Sequence, residues 1–199
     1  MVNAELCDME AEPSTRVGVS GHRDLDPRQE RDTSAVTETA LLKIANLLPG
    51  GDPRLVTGLA EGADQLVAEV ALAIGWKIEA LLPMSVAEYE SDFPRTAARE
   101  RLNELLSRCV RVTEMAYNGE LDPDVVSARN QMYRNQGSRL IAESNFVILL
   151  WDGSETRPGA CGTSWVAHLC RQKYQVRHFP VAVSDNNVGV VHVPVRRTG

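Results

Sequence analysis

Short apolar, β-branched runs alternate along this chain with segments whose apolar positions recur at spacings of three and four. The short runs predict strands near 16–20, 54–57, 77–82, 109–114, 146–151 and 178–183, with a last extended run near 189–195. After Gly62, the residues Ala63, Leu66, Val67, Val70, Ala71 and Ile74 fall on one side of a helix that Gly75 can terminate. Val36, Ala40, Ile44 and Leu47 form a similar stripe in an earlier helix with Thr33 as its N-cap, and Val166, Leu169 and Cys170 a shorter one. The cluster Arg99-Glu100-Arg101 reads as a solvated helix face. The polar stretch AYNGELDPDVVSAR reads as a loop leading into a helix that carries Arg129, Tyr133 and Leu140. The final VVHVPV reads as an added edge strand or a dimerisation strand. Strands alternating with helices imply an α/β three-layer sandwich around a mainly parallel sheet of six to seven strands.

Length and composition narrow this picture. The 199 residues suffice for one domain with a substantial core. Residues 1–15 are acidic, contain Pro13 and lack periodicity, so they read as a mobile lead-in to a single domain over 16–199. The apolar share of 43% and charged share of 24% are those of a folded globular chain. No apolar run reaches a membrane-spanning length, and Glu5, Asp8, Glu10 and Glu12 do not make a signal sequence, so a cytosolic location is expected. Cys7, Cys109, Cys161 and Cys170 show neither disulfide nor zinc-site spacing, and no metal or cofactor is called for. The net charge of −6 and pI near 5.3 argue against nucleic acid as a partner, while leaving room for a small anion held locally. The basic Val195-Arg196-Arg197 is too short for a patch and reads as solvated.

Ligands of open parallel sheets gather beyond the carboxyl ends of the strands. Three of the predicted turns there are rich in glycine and polar groups. The first holds Ser20, Gly21, His22, Arg23 and Asp24; the second holds Gly58, Glu61, Gly62, Ala63 and Asp64; the third holds Trp151, Asp152, Gly153, Gly159, Gly162 and Thr163. Glycines permit sharp turns and close backbone approach, and the helix starts near Gly62 and Gly162 offer N–H groups to a phosphate. Asp64 in a first helical turn also complements the helix dipole, and His22 and Arg23 also suit a surface turn. Neither GxGxxG nor GxxxxGK[ST] occurs. The residues alone thus give a Rossmann-like sheet with an anion site.

The segments GVSGHRDL, VTGLAEGADQLVAEVALAIGWKIEALLPMSVAEYESDF, ARNQMYRNQGSRLIAESNFVILLWDG and PGACGT resemble, in that order, the SLOG superfamily. This Rossmann-like group joins DNA-processing protein A to the LONELY GUY phosphoribohydrolases. The likeness spans about residues 16–183 and implies a pocket for a nucleotide or nucleotide-derived molecule. It also implies that Arg129, in an ARNxxY pattern, reaches a ligand phosphate, although a surface pair with Asp122 or Asp124 explains that arginine equally well. In the LONELY GUY pattern PGGxGTxxE, Gly159, Gly162 and Thr163 match, but Ala160 replaces a glycine and Val166 the catalytic glutamate.

Three readings follow. The first is a nucleotide-binding sensor or signalling module that acts through a homo-oligomer or a partner. The second is a nucleoside-monophosphate phosphoribohydrolase with Glu61 or Asp64 as acid/base, and the third, ranked last on charge, is single-stranded DNA binding.

Overall fold

The computed structural model describes residues 15–47, 52–154, 159–174, 182–183 and 189–198. Apart from Thr15, the lead-in lies outside them, as do Pro158 and the first part of the strand expected at 178–183. The elements are β1 (Arg16–Gly21), α1 (Glu30–Asn46), β2 (Arg54–Thr57), α2 (Ala63–Ala73), β3 (Lys77–Leu82), α3 (Val86–Tyr89), α4 (Thr96–Arg108), β4 (Arg111–Glu114), α5 (Ala128–Glu143), β5 (Phe146–Trp151), α6 (Thr163–Lys173), β6 (Ala182–Val183) and β7 (Gly189–Pro194). The sheet order is β4-β3-β2-β1-β5-β7-β6. Six of these strands run parallel, and β6 pairs antiparallel with β7.

β5 is a continuous apolar run, Phe-Val-Ile-Leu-Leu-Trp, buried on both faces, as a central parallel strand must be. Its alternate residues feed two cores. Phe146, Ile148 and Leu150 join Val17, Val19, Leu55 and Ile78 beneath α1, α2 and α4. Val147, Leu149 and Trp151 join Val56 and Leu81 beneath α5 and α6. The VVHVPV run is not an edge: β7 sits between β5 and β6, because its alternating valines match the buried face beside β5.

α2 follows its predicted stripe and ends where expected, with Gly75 at φ 84° and its N–H donating to Leu72 O. The α1 stripe is shifted. Thr33, Thr37, Ala40, Leu41 and Ile44 face the core, whereas Val36 and Leu47 are exposed. Thr33 is not the N-cap, because a short 3₁₀ turn over Pro27–Gln29, capped by Asp26, starts the helical segment earlier. β4 is shorter than expected and mostly exposed, as suits an edge strand.

Gly62 caps α2 at φ 87°, ψ −119°, where a Cβ would lie 2.4 Å from the Arg23 carbonyl oxygen. Gly62→Ala should therefore lower stability by about 2 kcal/mol, the scale of a strained non-glycine backbone, as measured by chemical denaturation.

The second core ends in charge near the amino ends of β1 to β4. Glu79 is 1% exposed and lies 2.7 Å from Arg111, 2.9 Å from Arg54 and 3.5 Å from Arg16. There three guanidiniums close over the Glu79 carboxylate, and Arg16 and Arg111 also pair with Glu143 at the end of α5.

Candidate functional site

From β1 the chain adds β2, β3 and β4 outward on one side, then returns to place β5 on the other flank of β1. The turns after β1 and β5 therefore leave on opposite faces and open a crevice at the strand ends. A cavity of about 550 Å³ lies there.

The turn after β1 contributes Ser20, Gly21, His22, Arg23 and Asp24, the turn after β2 contributes Gly58, Ala60 and Asp64, and the start of α6 contributes Gly162, Thr163 and Ser164. Gly21 lets this assembly close, since a Cβ there would fall 2.3 Å from Ala63 Cβ and 2.8 Å from Leu150 Cβ. Ala63 is fully buried and packs, so it is not a lining residue.

Several predicted residues are elsewhere. Glu61 points out of the cavity and pairs with Arg95 beside a smaller cleft that also holds Gly62. Arg129 is turned to the α3 side, 2.8 Å from Asp92 and 3.4 Å from Glu88, and donates to Ser91 Oγ; the acidic turn after α3 competes for it. Asp122 and Asp124 pair with Arg134 instead. Gly159 shapes the turn, donating its N–H to Asp124 Oδ2 at 3.0 Å. Gly153 is exposed. Asp152 is exposed and is not a lining residue; its Oδ1 lies 3.0 Å from His22 Nε2 and accepts the Ser154 N–H. Burial pushes the Asp152 carboxyl up, but Ser154 and His22 outweigh that and hold it at about 2.

The two helix starts are not equivalent. At α2, Ala63 N–H donates to His22 O and Gln65 N–H to Ala60 O, so the expected anion site near Gly62 is filled by the protein's own carbonyls. α6 begins at Gly162, φ 65°, without a side-chain cap, and its first residues line the cavity. Val166, at the position of the LONELY GUY glutamate, is a buried core residue.

Asp64 is the one buried carboxylate in the lining. It is 6% exposed, Oδ2 accepts the Ala60 N–H at 3.4 Å, and Oδ1 has no hydrogen-bond partner among the described residues. Burial raises its pKa to about 7, against the opposing pull of the Ala60 amide, the Arg23 charge and the Gly21 and Gly58 amides.

The sequence reading did not list Pro83, Tyr89, Gln136, Ser154 or Arg197 for the lining, and weighed Tyr133 only as a neighbour of Arg129. Gln136 follows Tyr133 by three on α5, so helical spacing was a usable signal for it. No local signal marks Tyr89 or Arg197. The tail is exposed, as expected, but it is anchored: Arg197 Nε donates to Asp24 at 2.9 Å, Thr198 N–H to Asp24 O, and Arg196 N–H to Gln29 Oε1. Arg23 Nη2 donates to Tyr133 Oη at 2.8 Å, and Tyr133 Oη donates to Asp92. Arg134 is buried against Trp165, 4.0 Å from its ring, and donates to Ala160 O, which fixes the approach to α6.

This fold and strand-end crevice define a Rossmann-like α/β domain. Within that class, the fold is like that of DNA processing protein A. The solved protein from Streptococcus pneumoniae superposes with a TM-score of 0.52 at 16% identity, over 81% of this chain and 48% of that one. The Helicobacter pylori protein, described by its single-stranded DNA binding mode, gives 0.49 at 23% identity, over 81% and 62%. This chain thus spans less than two-thirds of either. No protein-family model and no curated protein sequence matches it.

The likeness corrects the expectation against nucleic acid as a partner, since the matching fold belongs to a DNA-processing protein. Net charge sums over the whole chain, whereas a strand-end cavity presents its own local charges. No described helix is long and apolar enough to cross a membrane.

Proposed function

We propose that this chain binds a nucleotide or nucleotide-derived anion in the strand-end cavity and works as a sensor or signalling module. The observation that carries this reading is the convergence of three turns, the uncapped start of α6, Arg23 and Arg197 on one 550 Å³ cavity. That volume is in the range of small-molecule sites. The Asp64 carboxyl, about half neutral at pH 7 and increasingly so below it, is suited to hydrogen-bond a sugar or base. Isothermal titration with the 5′-mononucleotides and ADP-ribose should give saturable heat, and Thr163→Val should weaken it about tenfold, the scale of one charge-assisted hydrogen bond. No heat with any of them would sink the reading.

A second reading, single-stranded DNA binding, is favoured by the fold likeness to a DNA processing protein. A gel shift with oligothymidylate that weakens steeply with salt supports it. Of its two candidate acids, Glu61 and Asp64, the phosphoribohydrolase reading retains Asp64 in the cavity lining, and free-base release abolished by Asp64→Asn is its test.

A further inference from the structure

We infer that the cavity binds its anion together with a proton carried by the Asp64 carboxyl, so that affinity rises as pH falls. This rests on the anion reading of the cavity and deepens it, by naming the residue that governs occupancy and the sign of its effect.

Asp64 stands in the first turn of α2 and lines the cavity at 6% exposure. Its Oδ1 has no hydrogen-bond partner among the described residues, and the bond to Oδ2, from the Ala60 N–H, is long at 3.4 Å. The helix start serves it poorly, since Ala63 N–H goes to His22 O and Gln65 N–H to Ala60 O.

The charged groups around it are engaged with one another. From the turn after β1, Arg23 Nη2 donates to Tyr133 Oη at 2.8 Å and acts on Asp64 only through space. His22 Nε2 lies 3.0 Å from Asp152, and Asp24 is held by Arg197 of the tail at 2.9 Å. Glu61, on the same turn as Asp64, is drawn away by Arg95. Burial pushes up Tyr89 from α3, Tyr133 from α5 and Cys161 before α6, so these line the cavity uncharged.

A buried carboxyl placed in this way responds to any further charge. Burial outweighs the pull of the Ala60 amide, the Arg23 charge and the Gly21 and Gly58 amides, and sets its titration at about 7. An anion in the cavity adds repulsion, neutralises part of the Arg23 charge that favours the ionised form, and displaces water from the carboxyl. All three effects favour the protonated form. A cavity of about 550 Å³ puts its occupant within reach, because charges interact over about 8 Å at physiological ionic strength and further where water is excluded. Protonated Asp64 also offers an O–H to a ligand oxygen, where the carboxylate has none to give. By linkage, an anion that tightens the hold of Asp64 on its proton binds more tightly to the protonated chain. Affinity is therefore greatest below pH 7, falls as pH rises through 7, and is weakest near pH 8.

The test titrates ADP-ribose and each 5′-mononucleotide into the full chain and into Asp64→Asn at pH 6, 7 and 8. The ratio of variant to wild-type affinity cancels any titration of the probe itself. It should rise about five- to tenfold from pH 6 to pH 8, the scale for a group that titrates near 7 and binds ligand in its protonated form. A second measurement needs no variant. Wild type titrated at pH 7 in buffers of different ionisation enthalpy should take up about half a proton per ligand, beyond any taken up by the probe. A ratio that stays constant with pH, or binding without proton uptake, overturns the inference and leaves the nucleotide reading standing. A ratio that falls with pH, with protons released, overturns it as well, because the carboxylate then accepts a donor from the ligand. No heat with either protein at any pH removes the nucleotide reading and this inference with it.

Discussion

Glu79→Gln is expected to lower the melting temperature by about 10 °C at low salt, a loss of about 3 kcal/mol for a chain of this size. The side chain is 1% exposed, and its two oxygens lie between Arg16, Arg54 and Arg111. Glutamine keeps the shape and an acceptor but removes the buried charge, leaving three guanidiniums where β1 to β4 begin, partly compensated by Glu143, 3.3 Å from Arg16 and 3.9 Å from Arg111, and by Asp52, 3.8 Å from Arg54. The three arginine side chains are 27%, 32% and 44% exposed, so they can turn partly to water, which places the loss at the lower end for a broken buried pair. Because the remaining term is repulsion among partly exposed cations, 1 M salt should recover part of it. Paired thermal melts of wild type and variant at low and high salt check this. A shift below about 2 °C at low salt would show that Glu79 does not neutralise the cluster.

The second large effect is a pH-dependent gain. Asp64 titrates near 7 in the folded chain against an ordinary value of 3.8, so between those pH values the folded state holds a proton that the unfolded state has lost. Stability from this group is full below about pH 4, falls as pH rises, and is lost once pH passes about 7. The shift corresponds to about 4 kcal/mol. Asp64→Asn removes the titration while keeping an oxygen to accept the Ala60 N–H. The variant should match wild type near pH 4 and exceed it by up to about 4 kcal/mol at pH 8. Urea denaturation of both proteins across that range reads the difference directly. A difference that does not grow with pH would place Asp64 in contact with water or a partner that keeps it ionised.

Much of the fold was legible because it depends on local pattern. β5 shows itself as six consecutive apolar residues, and α2 as a three-and-four stripe closed by Gly75. The α1 stripe was right at Ala40 and Ile44 and wrong at its two ends. Thr33 and Thr37 are buried, and a stripe drawn through Val36 and Leu47 misses them because threonine does not register as apolar. β7 was misplaced because strand order is not a local property.

The site was legible only in part. The turns after β1 and β5 and the start of α6 do converge, as their glycines suggested. Glu61 and Arg129 do not take part, because Arg95 and the acidic turn after α3 compete for them more closely than any ligand site.

The amino-acid order alone determined the strands, the helices and the glycine-rich turns, since backbone preference and apolar spacing act over a few residues. Only the tertiary structure decided which of those turns meet, that Arg197 closes on Asp24 across more than 170 positions, and that Asp64 lies buried enough to hold its proton. Those outcomes depend on distances through space and on exclusion of water, and neither is written in neighbouring residues.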